Sequence, residues 1–152
     1  MPMDSALDIA GLVVCLFLAV GIHEFGHFAI AYILKRPLAR VEVGTGPLLY
    51  FFTWKGINFR LYDIPLGGKT LFVFGSRKKW VNLSIMFAGP VANLLTWYVM
   101  YCIDGNDMLA RISLMMAMLN LMPFRTENIN SDGHQIMQEW RKNRTGIQYE
   151  QL

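Results

Sequence analysis

Two histidines and a glutamate lie close together inside a long apolar run. They belong to the segment His23-Glu24-Phe25-Gly26-His27, which matches the pattern H-E-x-x-H. Residues four apart share one face of a helix, so both imidazoles can bind a single Zn²⁺. Glu24 is next to His23 and can act as general base on a water at that metal without ligating it. The motif therefore predicts hydrolytic zinc chemistry.

The run that contains this motif is long enough to cross a membrane. Residues 9–34 include no Lys, Arg or Asp, and a helix of this length extends about 39 Å. A signal peptide is excluded because Asp4 and Asp8 precede the run without any Lys or Arg, and because the run is too long. Ionisable groups inside a membrane are costly and are functional by default. We therefore favour a metal site over a polar cluster that merely packs against other helices.

Composition indicates a membrane protein. The chain has 152 residues, of which 54% are apolar and only 16% charged, and its mean hydropathy is +0.33. Soluble domains carry about 25% charged residues. Two further apolar runs cover 81–103 and 108–124. The last of these reaches about 25 Å as a helix if Arg111 extends to the interface. We predict one α-helical membrane domain over residues 1–152, with three transmembrane helices at about 9–34, 81–103 and 108–124.

The segment 35–79, between the first two spans, differs in character. It carries nine Lys or Arg against two acidic residues, and four stretches at 40–43, 48–53, 57–62 and 70–74 have strand-like composition. Lys55-Gly56 suits a two-residue hairpin turn, whereas 44–47 and 65–68 read as turns or loops. We predict a small membrane-associated β-sheet. Either it is a stabilising lid, which composition favours, or its exposed edge captures an extended peptide.

The distribution of basic residues predicts the topology. An excess of Lys and Arg marks cytoplasmic segments, which places 35–79 inside and the N-terminus outside. Three spans then put the amphipathic C-terminal tail, 135–152, on the cytoplasmic side. The metal site lies toward the cytoplasm, and the loop after Pro123 must return into the protein to reach it.

A catalytic zinc site needs a third protein ligand and an open position for water. Four residues are candidates on chemical grounds. They are Asp63, Glu127, Asp132 and His134.

The order of several short motifs resembles that of the site-2 protease family of intramembrane zinc metalloproteases, peptidase family M50. The resemblance covers residues 21–136, most of the chain. The matching fragments are the H-E-x-x-H motif, Gly44-Thr45-Gly46-Pro47, Ile64-Pro65-Leu66-Gly67-Gly68, Ala88-Gly89-Pro90-Val91-Ala92-Asn93, Asn120-Leu121-Met122-Pro123 and Asp132-Gly133. In this chain eight residues, 124–131, separate the last two fragments, where the family usually has a short proline-rich link.

The resemblance implies roles for individual residues. Asp132 would be the third zinc ligand beside His23 and His27, while Asn93 and Asn120 would hold the substrate or polarise its carbonyl. His134 stands where the family motif usually has a second glycine, and we interpret it as a neighbour of the site. Glu127 and His134 remain weaker alternatives as ligands.

The resemblance also implies a function. We predict an intramembrane zinc metalloprotease, a minimal form without PDZ or CBS domains, in which Glu24 is the general base. Its expected partners are the lipid bilayer, a single-span or tail-anchored membrane protein as substrate, and a regulatory membrane protein or a second copy of the chain. No nucleic-acid partner is expected. We place the protein in a bacterial or archaeal cell membrane.

Two other functions, a membrane-protein scaffold and a metal transporter, are alternatives. A catalytically silent scaffold that binds membrane proteins would be expected to lack Glu24 or a ligand, and neither is lost. A metal transporter would need an alternating-access repeat, which three spans around one site do not provide.

Overall fold

The computed structural model describes residues 6–72, 78–104, 107–126 and 130–145. Its elements are α1 (Ala6–Ile33), β1 (Leu38–Trp54), β2 (Ile57–Phe72), α2 (Lys79–Asp104), α3 (Met108–Leu121) and α4 (Asp132–Thr145). The predicted combination of apolar helices with an antiparallel sheet between the first two is therefore confirmed.

Two helices are long and apolar enough to cross a membrane, namely Asp8–Ile33 within α1 and Lys79–Ile103 within α2. The prediction that the third apolar helix reaches Phe124 is wrong. Helix α3 ends at Leu121, and Met122 has extended backbone angles, φ −66° and ψ 129°. The cause is Pro123, because a proline disfavours helical geometry in the residue before it. The 14 residues of α3 extend only about 21 Å, so a third span stays a prediction.

Helices α1 and α2 pack closely because small residues line their contact. A side-chain carbon built on Gly26 would lie 2.5 Å from the carbonyl oxygen of Ala88 and 2.9 Å from Cβ of Ala92. Small residues allow helix backbones to approach in membranes, where burial from water supplies no drive to associate. The close approach brings the motif in α1 against the middle of α2.

Strands β1 and β2 pair antiparallel around the predicted turn at Lys55-Gly56. Both strands bend, so the sheet is broader than two strands suggest. Residues 40–43 of β1 pair with 58–61 of β2 on one side and with 68–71 of β2 on the other. The second half of β1, from Leu48 to Trp54, pairs with residues 57–62 of β2. Beneath the sheet, Phe28 of α1 packs against Val41 and Ile57.

The prediction that 44–47 and 65–68 are loops between separate strands is wrong. Both segments lie inside the long strands, which keep pairing through them, for example Thr45 with Ile64. Gly44 and Gly46 have φ of 86° and 91°, a conformation that glycine adopts at little cost. These glycines bend the strand instead of ending it. Of the predicted fourth stretch, residues 73 and 74 lie outside the described residues.

Helix α4 begins at Asp132, three residues earlier than the helix expected at 135. Ser131 precedes it, and its hydroxyl accepts a hydrogen bond from the backbone N–H of His134 at 3.1 Å, as an N-cap side chain does. The same hydroxyl donates to the carbonyl of Met122 at 2.6 Å. The chain after Pro123 therefore returns to the end of α3, as the predicted position of Asp132 required.

Helix α4 is not simply a surface helix, because it docks on α2. The amide of Asn82 donates to the carboxylate of Glu139 at 2.8 Å, and both side chains are buried. At the rim of this contact, Nζ of Lys79 lies 4.0 Å from the ring centre of Trp140. Of the predicted tail, residues 146–152 lie outside the described residues.

The close contact at Gly26 predicts an unequal response of two glycines in α1. Gly26→Ala forces a methyl group against the backbone of α2, so we expect a loss of about 2 kcal/mol and a Tm lower by about 4–8 °C. Gly21→Ala is the matched control, since no described residue lies within 4 Å of its added carbon, apart from its chain neighbours and the backbone of its own helix turn. There the better helix propensity should keep or raise the Tm, measured by thermal unfolding in detergent. Equal Tm values for the two variants would contradict the packing described.

Candidate metal centre

His23, His27 and Asp132 come together in one buried group. Oδ2 of Asp132 lies 2.9 Å from Nε2 of His23 and 3.4 Å from Nε2 of His27. The two Nε2 atoms are 3.2 Å apart. One ligand-type atom from each residue therefore lies within 4.8 Å of the others, and all three residues are buried. A single metal ion can be reached by all three.

The fold explains this convergence. Helix α1 puts the two imidazoles one turn apart on the same face, which needs only local geometry. Asp132 comes from a region 109 residues away from His23 and is the first residue of α4. Its position depends on the hydrogen bonds of Ser131 to the end of α3 and on the docking of α4 against α2.

The far side of each imidazole has a hydrogen-bond partner on α2. Nδ1 of His27 lies 2.7 Å from the carbonyl oxygen of Ile85, to which it must donate. This tautomer leaves the lone pair of Nε2 free for a metal, the arrangement typical of histidine ligands.

Asn93 is the corresponding hydrogen-bond partner of His23. Its Nδ2 lies 3.3 Å from Nδ1 of His23, while its buried Oδ1 has no partner among the described residues. The two ends of an amide are assigned by their hydrogen bonds. If the positions of Oδ1 and Nδ2 in the Asn93 amide are exchanged, Oδ1 accepts the Nδ1 proton of His23. The buried oxygen then has a partner, and the lone pair of Nε2 of His23 is available for a metal. The surroundings of both histidines therefore fit metal binding.

Gly89 of α2 lies directly against the imidazoles of His23 and His27. A side-chain carbon at this position would collide with Nε2 of His27 and would lie 2.7 Å from Nε2 of His23. The absence of a side chain leaves the space into which both nitrogen atoms point. Two imidazoles and one carboxylate are a donor set that zinc prefers, and three protein ligands leave a fourth position open.

Asp132 belongs to α4, outside the two helices that are long enough to cross a membrane, and its charge suits a cation. Burial by itself would raise the pKa of this carboxyl, but hydrogen bonds and the charges of His23 and His27 outweigh it and lower the pKa to about 2. The side chain is therefore a carboxylate at neutral pH, the form that ligates metals.

Glu24 lies beside the group without belonging to it. Its side chain is buried, and Oε2 accepts a hydrogen bond of 2.7 Å from the hydroxyl of Thr70 on β2. Gly68, two residues earlier on the strand, is so close that an added carbon would lie 2.6 Å from Cγ of Glu24. The end of β2 therefore holds this carboxylate in place.

Four other residues were predicted for the site. The amide of Asn120 donates to the carbonyl of Met116 in its own helix at 3.0 Å. Nε2 of His134 lies 2.9 Å from Nε2 of Gln138 on α4, and Asp63 is exposed on β2. Among the described residues, neither His134 nor Asp63 joins the metal-type group, and Glu127 lies outside those residues.

Several residues that shape the site were missed by sequence reasoning. Ser131 carried a usable signal, because serine directly before Asp-Gly suits an N-cap. Gly89 lies inside the fragment 88–93, in which the resemblance implied a role only for Asn93. Thr70 carried no signal, since a threonine in a strand is ordinary and its contact with Glu24 depends on how the sheet docks against α1.

Known proteins share much of this chain. The family model described as Peptidase family M50 matches residues 11–105. A protein of Clostridium acetobutylicum, named as a candidate zinc metalloprotease, is 30% identical over 95 residues, or 55% of this chain and 28% of that protein. A similarly named protein of Campylobacter jejuni is 30% identical over 117 residues, 66% of this chain and 32% of its own length.

The regulator of sigma-E protease RseP of Escherichia coli is 30% identical over 104 residues, which are 58% of this chain and 23% of that protein. The chain spans about a third or less of the length of these curated relatives. The names of the Clostridium acetobutylicum and Campylobacter jejuni proteins include zinc, and the buried donor set of this chain fits Zn²⁺ as the cofactor.

The geometry predicts different effects of two neighbouring substitutions on zinc binding. Asp132→Ala removes a donor from the group, and we expect a loss of zinc affinity greater than the about 10–100-fold that loss of an outer partner costs. His134→Ala, two residues away, should leave the affinity unchanged. Competition against a chromogenic chelator measures both. Loss of zinc from the His134→Ala protein with retention by Asp132→Ala would reverse the assignment.

Proposed function

Because this chain belongs to peptidase family M50, we propose that it is a zinc metalloprotease that cleaves membrane-embedded proteins within or near the bilayer. The observation that carries the proposal is the buried convergence of His23, His27 and Asp132, with the carboxylate of Glu24 beside them. No observation favours a catalytically silent scaffold, since the base and all three donors are present.

His23, His27 and Asp132 would hold Zn²⁺. When bound, the ion supplies an acidic water and a polarised scissile carbonyl. Ile85 and Asn93 fix the tautomers of the two imidazoles, which keeps both Nε2 atoms available. We therefore assign Asn93 to positioning His23, and its predicted contact with substrate is not needed for this role. Asn120 remains a predicted substrate contact.

Glu24 would take a proton from the attacking water and deliver it to the leaving amine. Its Oε2 is engaged by Thr70, so the other carboxylate oxygen, Oε1, is the one suited to meet the water. Both proton transfers need this oxygen to stay in one position while the reaction proceeds. The hydroxyl of Thr70 and the close approach of Gly68 support such fixation.

The sheet edge beside Glu24 is the proposed place for substrate. A helical substrate hides its own carbonyls in hydrogen bonds, so it must be unwound before hydrolysis. Residues 68–71 pair with 40–43 on one side, and within the described chain no strand pairs with their other side. An extended peptide can add there as a further strand. The contact of Thr70 with Glu24 favours this function over the simple lid.

We also propose that the protein lies in a membrane. Helices α1 and α2 would cross the bilayer, and α3 would complete a third span, with the N-terminus outside and the site toward the cytoplasm. The second half of β1 is consistent with a membrane-associated sheet, because Tyr50, Phe51 and Phe52 are exposed, and aromatic rings favour the interface. The proposed substrate class is a single-span or tail-anchored protein of a bacterial or archaeal cell membrane. A regulatory membrane partner or a second copy of the chain would select it.

Glu24→Gln tests the proposed base. The amide keeps the size of the side chain but cannot accept the water proton, so we expect cleavage of a single-span model substrate to fall by about 10²–10⁴-fold. Zinc content, measured by mass spectrometry, should stay at the wild-type level. Undiminished cleavage would refute the assigned base, and absence of cleavage by the zinc-loaded wild type would favour the scaffold.

The hydroxyl of Thr70 should matter for turnover more than for binding. In Thr70→Val the carboxylate loses its hydrogen bond, and we expect kcat to fall by about 10–100-fold, as for outer partners of metal sites, with KM nearly constant. Thr70→Ser keeps the hydroxyl and should restore most of the rate. Thr53→Val is the control, because that hydroxyl binds Asn58 at the exposed hairpin. Equal rates for the serine and valine variants would show that Glu24 is held by other contacts.

A further inference from the structure

We propose a second binding site in this protein, for the phosphate headgroup of an anionic phospholipid, at the end of α1. A cavity of about 680 Å³ lies there between the helix end and the hairpin turn. Its lining includes three basic residues, Lys35, Arg36 and Lys55, and no acidic residue. None of the lining residues belongs to the metal centre, so this inference does not depend on the proposed protease activity.

Arg36 gives the strongest indication of what this cavity binds. Its Nε and Nη2 atoms are buried, and neither has a hydrogen-bond partner among the described residues. Buried N–H groups of a guanidinium that have no acceptor in the protein are unfavourable, because each such donor costs free energy. A phosphate group supplies oxygen acceptors in the planar arrangement that guanidinium binds best.

Contacts hold the ammonium group of Lys55 in place, and the backbone at the end of α1 is fixed at Lys35. Nζ of Lys55 donates to the hydroxyl of Tyr32 at 3.1 Å and lies 4.7 Å from the ring centre of Trp54. Lys35 has φ of 52°, the left-handed conformation that ends a helix. The backbone N–H of Arg36 then bonds back to the carbonyl of Ala31 at 2.8 Å. The backbone at the helix end and the hairpin turn therefore present three positive charges to one cavity.

The position and the apolar part of the lining favour a lipid over a free anion. The cavity begins where the membrane-crossing helix ends at Ile33, which is the level of the headgroups. Apolar residues share the lining with the basic ones, and Ile33 is 68% exposed. A lipid can place its phosphate among the cations and its acyl chains along this apolar surface. A free phosphate would use only the charged part.

The test is lipid binding to the purified full chain in detergent, measured by native mass spectrometry. The probes are phosphatidylglycerol and phosphatidylcholine with the same acyl chains. We expect tighter binding of the anionic lipid, and Arg36→Gln should weaken it by roughly fivefold or more, the effect of one basic residue near an anionic headgroup. Lys69→Gln is the matched control for lipid binding, since it removes the same charge from β2 outside the cavity and should leave the affinity for both lipids unchanged.

Further variants keep the result independent of folding. Lys55→Gln removes a cation from a different element and should also weaken binding, and Arg36→Lys should recover part of it. Circular dichroism and the Tm of each variant identify any that do not fold. Equal binding of the two lipids, or unchanged binding by both the Arg36→Gln and Lys55→Gln proteins, would overturn the proposal. Displacement of phosphatidylglycerol by inorganic phosphate at equal concentration would assign the cavity to a free anion instead.

Discussion

One carboxylate must meet two imidazoles that precede it by more than a hundred residues, and the architecture is arranged around that meeting. Asp132 and His23 are separated by 109 positions in the chain. Pro123 ends α3, Ser131 ties the returning chain to that helix end, and Glu139 fastens α4 to α2. None of these contacts involves a donor atom of the group, yet each restricts where the first residue of α4 can lie.

Three residues of helix α2 contact the two histidines. Ile85, Gly89 and Asn93 are spaced by four residues, so they line one stripe of the helix. Ile85 and Asn93 contact the far nitrogen atoms of the imidazoles, and Gly89 leaves room for the near ones. One face of a single helix thereby sets ring orientation, tautomer and available space. A larger side chain or a one-residue shift along this stripe would disturb all three.

The sequence predicted features that depend on local spacing and was less successful with those that depend on docking. His23, Glu24 and His27 follow from helical periodicity alone. Asp132 could not be chosen over Asp63 or His134 from residue chemistry, and only the resemblance to a family favoured it. The positions of the strand-like stretches were largely right, but glycines with positive φ can end a strand or bend it. The pattern does not distinguish these outcomes. The contact of Thr70 with Glu24 depends on sheet placement, which no short motif encodes.

The separation of the donors along the chain has a consequence for synthesis. As the polypeptide is made, His23 and His27 leave the ribosome long before Asp132 does. Until then the two imidazoles offer an incomplete and weaker ligand set. Stable metal binding therefore has to wait until Asp132 has been translated and α4 has docked. A nascent chain stalled in α2 or α3 would carry the whole H-E-x-x-H motif and still lack the third donor of the group.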